Sequence, residues 1–462
     1  MDPKASTDAS APDWLDEPMP ALLRLAWPIV ISMLSASAMT LVDTLMVSRL
    51  GSWALAGVGL GGITSFILIC LPMGILGGVK ILSSQAIGAG RRHVVKTYLC
   101  AGLVLAFGMA AVACVASLFV AELLPSVSAT VETGEAARTY LRIGALGALP
   151  YLVRIAVEQT RLAIGDSKSP MRVNVFSNIC NVIANYVFIF VLDLGVAGAA
   201  YGTLLANIIG AVAILLVQRS DGFDFQGLRA HYLGGVWRLG LPTGIQFALE
   251  MGSFATMVVM LTNLSELDGA ANQIAIQVLH FGFLPCMAIG QAASVMAGQA
   301  IGAGRRDLVH AVARHALVPT IAYSILASLA FLTLGPWIAS NFTDDPDLLE
   351  LSTRLLYVAA IFQIADGINI VSRSVLQGTG DVRFCAWVGI SLSWMMTPPL
   401  TWLLAYHYGM GALGGWIALC ADVFLVTGIF YARMVGTRWY AAADRSLKEL
   451  RAEAVVSSEP IV

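Results

Sequence analysis

The eight residues Gln85-Ala-Ile-Gly-Ala-Gly-Arg-Arg92 occur twice: they return unchanged as Gln299-Ala-Ile-Gly-Ala-Gly-Arg-Arg306, 214 positions on. The same spacing carries Ala26-Trp-Pro28 onto Gly240-Leu-Pro242 and Gly195 onto Gly409, and Gly165-Asp166 falls within one position of Gly380-Asp381. A register kept over half a chain marks an internal duplication. The fold question therefore reduces to what one half contains.

Each half is made of material that water cannot hold. Hydrophobic residues are 58% of the 462 and charged residues only 12%, where a soluble domain carries about 25% charged. Mean hydropathy is +0.78. A chain this apolar uses lipid as its solvent, and a helix needs about 20 mostly apolar residues to cross it. Twelve such stretches can be marked: 22–47, 54–82, 95–119, 138–160, 171–193, 197–218, 236–262, 271–298, 308–334, 353–375, 383–406 and 412–434. No strand-like alternation competes with them. The expected class is an all-α integral membrane protein. Twelve transmembrane helices form two homologous six-helix bundles, related by a pseudo-two-fold axis along the membrane normal. The expected organisation is a disordered cytoplasmic tail over 1–20, an N-terminal lobe over 21–218 and a cytoplasmic linker over 219–235. A C-terminal lobe over 236–435 and a cytoplasmic tail over 436–462 complete it.

Basic residues set the orientation. Arg91, Arg92 and Lys96 fall on one side, with Arg161, Lys168, Arg172, Arg219, Arg229, Arg238, Arg305, Arg306, Arg383 and the segment Arg433 to Arg451. The other side is mostly acidic, with Glu122, Glu132, Glu135, Glu266, Asp268, Asp344, Asp345, Asp347 and Glu350 against Arg49. The positive-inside rule then puts both termini in the cytoplasm of a multi-pass bacterial inner-membrane protein. The opening residues lack the basic start and apolar core of a cleaved signal.

Composition also excludes functions. A net charge of −2 without a long basic block gives nucleic acid no electrostatic footprint. The seven cysteines, Cys70, Cys100, Cys114, Cys180, Cys286, Cys385 and Cys420, sit in or beside apolar stretches without metal spacing and read as core residues. A membrane-embedded enzyme would need a nucleophile–base pair or a cluster such as HExxH, and six scattered histidines supply neither.

Ionisable groups inside the spans are costly there and mark function. Asp43 ends a polar stripe with Ser32, Met39 and Thr40; the competing reading pairs it with Arg49 near the interface. Asn174, Asn178, Asn181 and Asn185 fall on one face of the fifth span. They suit either a hydrated cation site or interhelical hydrogen bonds. Glu250 shares a face with Gln246 and Ser253, and Asp366 lies beside Gln363 and Asn369. With no basic residue one turn away, these two acids read as unpaired, holding a cation or taking up protons. Arg154 and Glu158 are spaced to pair with each other. Asp422 and His280 read as structural.

The order of these segments resembles the multidrug and toxic compound extrusion (MATE) family, in its bacterial NorM-like branch. The resemblance runs from about 20 to 435. It rests on PIVISMLSASAMTLVDTLMVSRLG from Pro28, SQAIGAG in the loop between the second and third spans, AANQIAIQVL in the eighth, and QIADGINIVSRSVLQGTGD in the tenth. It implies a monomeric antiporter that exports hydrophobic, often cationic drugs as Na⁺ or H⁺ enters, with no cofactor. It also implies an N-lobe cation site at Asp43, Asn181, Asn185 and Thr203. A C-lobe site is implied at Glu250 and Asp366, with Gln246, Ser253, Gln363 and Asn369 in support. Many relatives carry Asp where this chain has Asn185, so the N-lobe site is one negative charge short. The paired acids favour Na⁺ at Glu250 and Asp366, although Phe362 stands where an aromatic hydroxyl is common. A flippase for lipid-linked saccharides is the rival reading. Its central cavity would be basic, whereas the mid-span charges here are mainly acidic.

Overall fold

The computed structural model describes Trp14, residues 17–128 and residues 130–457. Most of the expected 1–20 tail lies outside the described residues. Among the described residues thirteen α-helices follow one another: α1 (Pro18–Ser48), α2 (Ser52–Gly88), α3 (Val94–Val127), α4 (Val131–Ala163), α5 (Lys168–Tyr186), α6 (Gly195–Arg219), α7 (Ala230–Leu264), α8 (Glu266–Gly302), α9 (Asp307–Ser340), α10 (Pro346–Gly378), α11 (Val382–Thr401), α12 (Ala412–Val435) and α13 (Tyr440–Ser457). Helices are what lipid demands, because an unsatisfied backbone group finds no water there. Among the described residues, eleven segments are long and apolar enough to span by themselves. The twelfth expected span is α11. Arg383, Pro398 and Pro399 dilute its hydropathy, and it reaches full length only through a π-helical end, Trp402–His407.

The duplication is visible in the backbone. A π-helical end also closes α5, at Val187–Val191. Left-handed glycines recur in pairs across the half-chain: Gly90 and Gly304, both at φ 73°; Gly165 at 87° and Gly380 at 90°; Gly195 at 54° and Gly409 at 67°. Glycine adopts such angles at no steric cost, and the paired glycines mark the same helix ends in both halves.

Two compact units can be distinguished. One comprises the described residues up to Ala26, Ser84–Gly90 and the described residues from Ile245 on; the other comprises the described residues of Trp27–Ser83 and Arg91–Gly244. The first unit packs Met257, Leu261, Ala275, Phe331, Leu355, Leu356 and Phe362 around the fully buried Trp416. The Trp416 indole donates to Asn272 Oδ1 at 2.9 Å. The second packs Leu76, Leu99, Leu103, Leu152, Ala156 and Ile214. Within it, α2 meets the start of α7 through small residues, Gly74 against Gly244 and Gly78 under the Val236 carbonyl, as close backbone approach in membranes favours. Large apolar side chains such as Phe119 and Trp387, each 73% exposed, face outward as they would to lipid.

The first half of the repeated octapeptide is a helix end, and its second half, Ala89–Arg92 and Ala303–Arg306, is the loop expected of it. Gln85–Gly88 and Gln299–Gly302 are the last turns of α2 and α8. In the second copy Arg305 N–H closes onto the Ala300 carbonyl at 2.9 Å around Gly304. The two copies pack on each other reciprocally. A methyl at Gly88 would run into the Gln299 carbonyl, and one at Gly302 into the Gln85 carbonyl. Both glutamine side chains are also engaged. Gln85 donates to the Gly378 carbonyl at 3.2 Å and accepts from Ser446 of α13 at 2.5 Å. Gln299 accepts from the Trp14 indole at 2.7 Å. Arg306 pairs with Asp444 of α13 and lies over the Tyr440 ring.

Gly88→Ala should therefore lower the thermal midpoint of the detergent-solubilised protein by several degrees. Gly77→Ala, in the same helix with open space at its Cβ, should leave it unchanged or raise it, since alanine is favoured in helices by about 1 kcal/mol. Equal effects at the two positions would remove the packing role of the repeat.

Candidate functional site

In the second unit a polar seam joins α5 to its neighbours. The amides of α5 recur every turn, and each finds a partner on another helix. Asn174 bonds Glu158 of α4. Asn178 donates to Ser35 Oγ of α1 at 2.8 Å. Asn185 Nδ2 donates to Asp43 Oδ1 at 2.7 Å, and the Asn181 amide, turned nitrogen-first, reaches the same oxygen at 2.9 Å. Asp43 thus takes neutral amide donors, and no ion pair to Arg49 forms. Its partly exposed carboxylate lies against the fully buried Asn181 and the nearly buried Asn185.

The sequence separates the members of this seam poorly. Asn174 and Asn178 serve as interhelical ties, while Asn181 and Asn185 form the wall of the acid. Thr203 comes near through Tyr140 of α4, whose hydroxyl bonds Thr203 and lies in electrostatic range of Asp43. Sequence reading missed Tyr140. Its signal is Tyr151, eleven residues on and so on the same helix face. Tyr140, Tyr151, Phe66, Thr203 and Asn207 line a cavity of about 200 Å³ floored by Gly144 and Gly147. Gly202 of α6 makes room for Asn185: a Cβ there would collide with its amide oxygen, which is buried without a hydrogen-bond donor.

In the first unit Glu250 of α7 and Asp366 of α10 were expected to be unpaired. Glu250 is not: its Oε2 accepts from Arg373 Nη1 of α10 at 2.9 Å, and its Oε1 from Gln246 Nε2 at 2.8 Å. The partner comes from another helix, so turn-by-turn inspection of α7 could not find it. Asp366 bonds Asn369 and also lies within electrostatic range of Arg373. Of the expected supporting residues, Gln246 and Asn369 serve the acids. Ser253 donates instead to the Ser393 carbonyl at 2.8 Å and Gln363 to the Gly282 carbonyl at 2.9 Å. Asp422 accepts from Thr397 at 3.0 Å and feels the charge of Glu250, closer to the acids than its sequence reading suggested. Phe362 is buried and packs beside Trp416. Arg154 and Glu158 pair as their spacing implies, at 3.5 Å, and His280 packs edge-on against Phe283.

The MatE family model matches residues 28–187 and again residues 242–403, once in each copy of the duplication. The chain belongs to the MatE family. A probable multidrug resistance protein NorM of Bradyrhizobium diazoefficiens is 30% identical over 434 residues, covering 89% of this chain and 92% of that protein. The multidrug resistance protein NorM of Burkholderia vietnamiensis is also 30% identical, covering 90% and 93%. Among solved structures, an outward-facing multidrug resistance MATE transporter superposes with a TM-score of 0.86 at 20% identity, covering 92% of this chain and 97% of that one. A eukaryotic MATE transporter does so with 0.86 at 16% identity, covering 94% and 99%. MatE membership fits the twelve-helix duplicated plan.

Gly202→Ala should destabilise the protein by about 1–3 kcal/mol, because it displaces a buried amide from its carboxylate partner. Asn185→Ala made in addition should recover part of that loss by removing the clash. Purely additive effects in this double-mutant cycle would show that Gly202 does not position Asn185.

Proposed function

We propose that this chain is a cation-coupled multidrug efflux antiporter of the bacterial inner membrane, a monomer with both termini in the cytoplasm. Its transported compounds are hydrophobic, often cationic organic molecules; its NorM relatives are named as multidrug resistance proteins. The observation that carries the reading is Asp43: a carboxylate inside the lipid-spanning region, held by amides rather than by a base, beside an aromatic-lined cavity. An acid so placed is neutralised either by an entering cation or by a departing cationic drug. Exchange follows if the two prefer opposite-facing states.

The coupling ion we propose at Asp43 is H⁺. A dehydrated Na⁺ needs several oxygen ligands, whereas the nearest partners of Asp43 are amide nitrogens. A proton needs none of that cage. The flippase reading is disfavoured because Arg373 and Arg154, both within spans, are committed to Glu250 and Glu158. Neither is left to hold a lipid phosphate.

One proton exchanged for one monovalent cation moves no net charge. Two protons would gain about 2.3 kcal/mol per 100 mV. In proteoliposomes, ethidium transport should follow an imposed pH gradient and persist without Na⁺. Asp43→Asn should reduce it at least tenfold at equal reconstitution. Transport that tracks a Na⁺ gradient with the pH gradient collapsed would overturn the proton assignment. Wild-type transport by Asp43→Asn would remove Asp43 from the mechanism.

A further inference from the structure

The acids of the first unit come with a cation of their own. Arg373 and Asp366 stand two turns apart on α10 and so share the side of that helix from which Arg373 reaches Glu250 of α7. The guanidinium donates to Glu250 Oε2 at 2.9 Å while Gln246 holds Oε1 at 2.8 Å. Both oxygens of Glu250 are therefore taken by N–H donors. The pair is partly sheltered, with the Arg373 and Glu250 side chains 27% and 20% exposed. From α11, Gly389 abuts Glu250 and Gln246 so closely that a Cβ would strike both, leaving the pair little lateral room.

The other ionisable groups around it do not supply a competing cation. Asp366 on α10 and Asp422 on α12 add negative charge. Cys385 on α11 and Cys286 on α8 are thiols within range of this cluster. Arg433 of α12, the next guanidinium, is committed to Asp381 at 2.9 Å and lies over the Phe384 ring. Arg373 is thus the positive charge that the Glu250 carboxylate meets.

We infer that Arg373 is a tethered counter-cation that excludes Na⁺ from the Glu250–Asp366 site, so that the charge of Glu250 is compensated from within the protein. A Na⁺ ion on Glu250 would have to displace two donors and sit beside a permanently charged guanidinium, which cannot lose its proton in a protein. With the guanidinium removed, the two carboxylates, Gln246 and Asn369 would offer the oxygens a small hard cation takes. The inference takes its meaning from the reading of the chain as a cation-coupled antiporter. Its test is binding alone and needs no transport.

The measurement is equilibrium binding of radioactive sodium to the detergent-purified full chain at pH 8, where free carboxylates are ionised. Wild type and Arg373→Lys should show no Glu250-dependent, saturable uptake. Arg373→Met and Arg373→Gln, checked as monodisperse, should bind sodium at least tenfold more tightly, and Glu250→Gln added to either should abolish the gain. Monodisperse neutral variants that bind no more than wild type would overturn the inference. So would saturable binding by wild type that Glu250→Gln removes, a comparison that does not depend on any Arg373 variant folding. A failure of ethidium transport with these binding results intact would fall on the proposed function and leave the role of Arg373 standing.

Discussion

Lipid offers no hydrogen bonds, and most of this structure follows from that. Backbone groups must be satisfied within each segment, which makes every span a helix. Side-chain amides and acids must find partners inside the bundle. The α5 amides do so one by one, against Ser35, Asp43 and Glu158. Where a helix has to stop inside or beside the membrane, a left-handed glycine or a π-helical end lets it stop with its carbonyls still bonded, as Gly304 does for α8.

The same constraint separates the two acidic clusters. Asp43 is stabilised by neutral dipoles, the amides of Asn181 and Asn185. Glu250 is stabilised by a fixed charge, Arg373. In a low-dielectric setting these are different devices. One leaves the carboxylate without an opposite charge; the other sets a guanidinium against it. Two units descended from one sequence have thus come to hold their carboxylates by different means, and the difference rests on a single residue of α10.

Close approach is the second organising feature. The duplicated octapeptide places a glycine in each copy against the glutamine carbonyl of the other, and Gly202 and Gly389 make room for the amide and carboxylate groups of the two clusters. These glycines carry no chemistry. They set distances, and in membranes, where burial of apolar area gives no advantage over lipid, packing distance is much of what holds helices together.

The sequence by itself determined the class, the duplication and the number of spans, because hydropathy and a repeat register are one-dimensional properties. It also singled out Asp43, Asn181, Asn185, Glu250 and Asp366, because a polar residue in an apolar stretch is conspicuous without coordinates. It read the whole octapeptide as a loop, where only its second half is one, since Gly and Arg there outweighed the helical turn that precedes them. What only the tertiary structure decided is which polar residues meet. Arg373 lies 123 positions from Glu250, and Tyr140 reaches Thr203 from another helix. Ser253 and Gln363, on the expected faces, turn to backbone carbonyls instead. Helical periodicity gives the face on which a side chain stands. The neighbour it finds there depends on how the helices pack, and that is a property of the whole assembled unit.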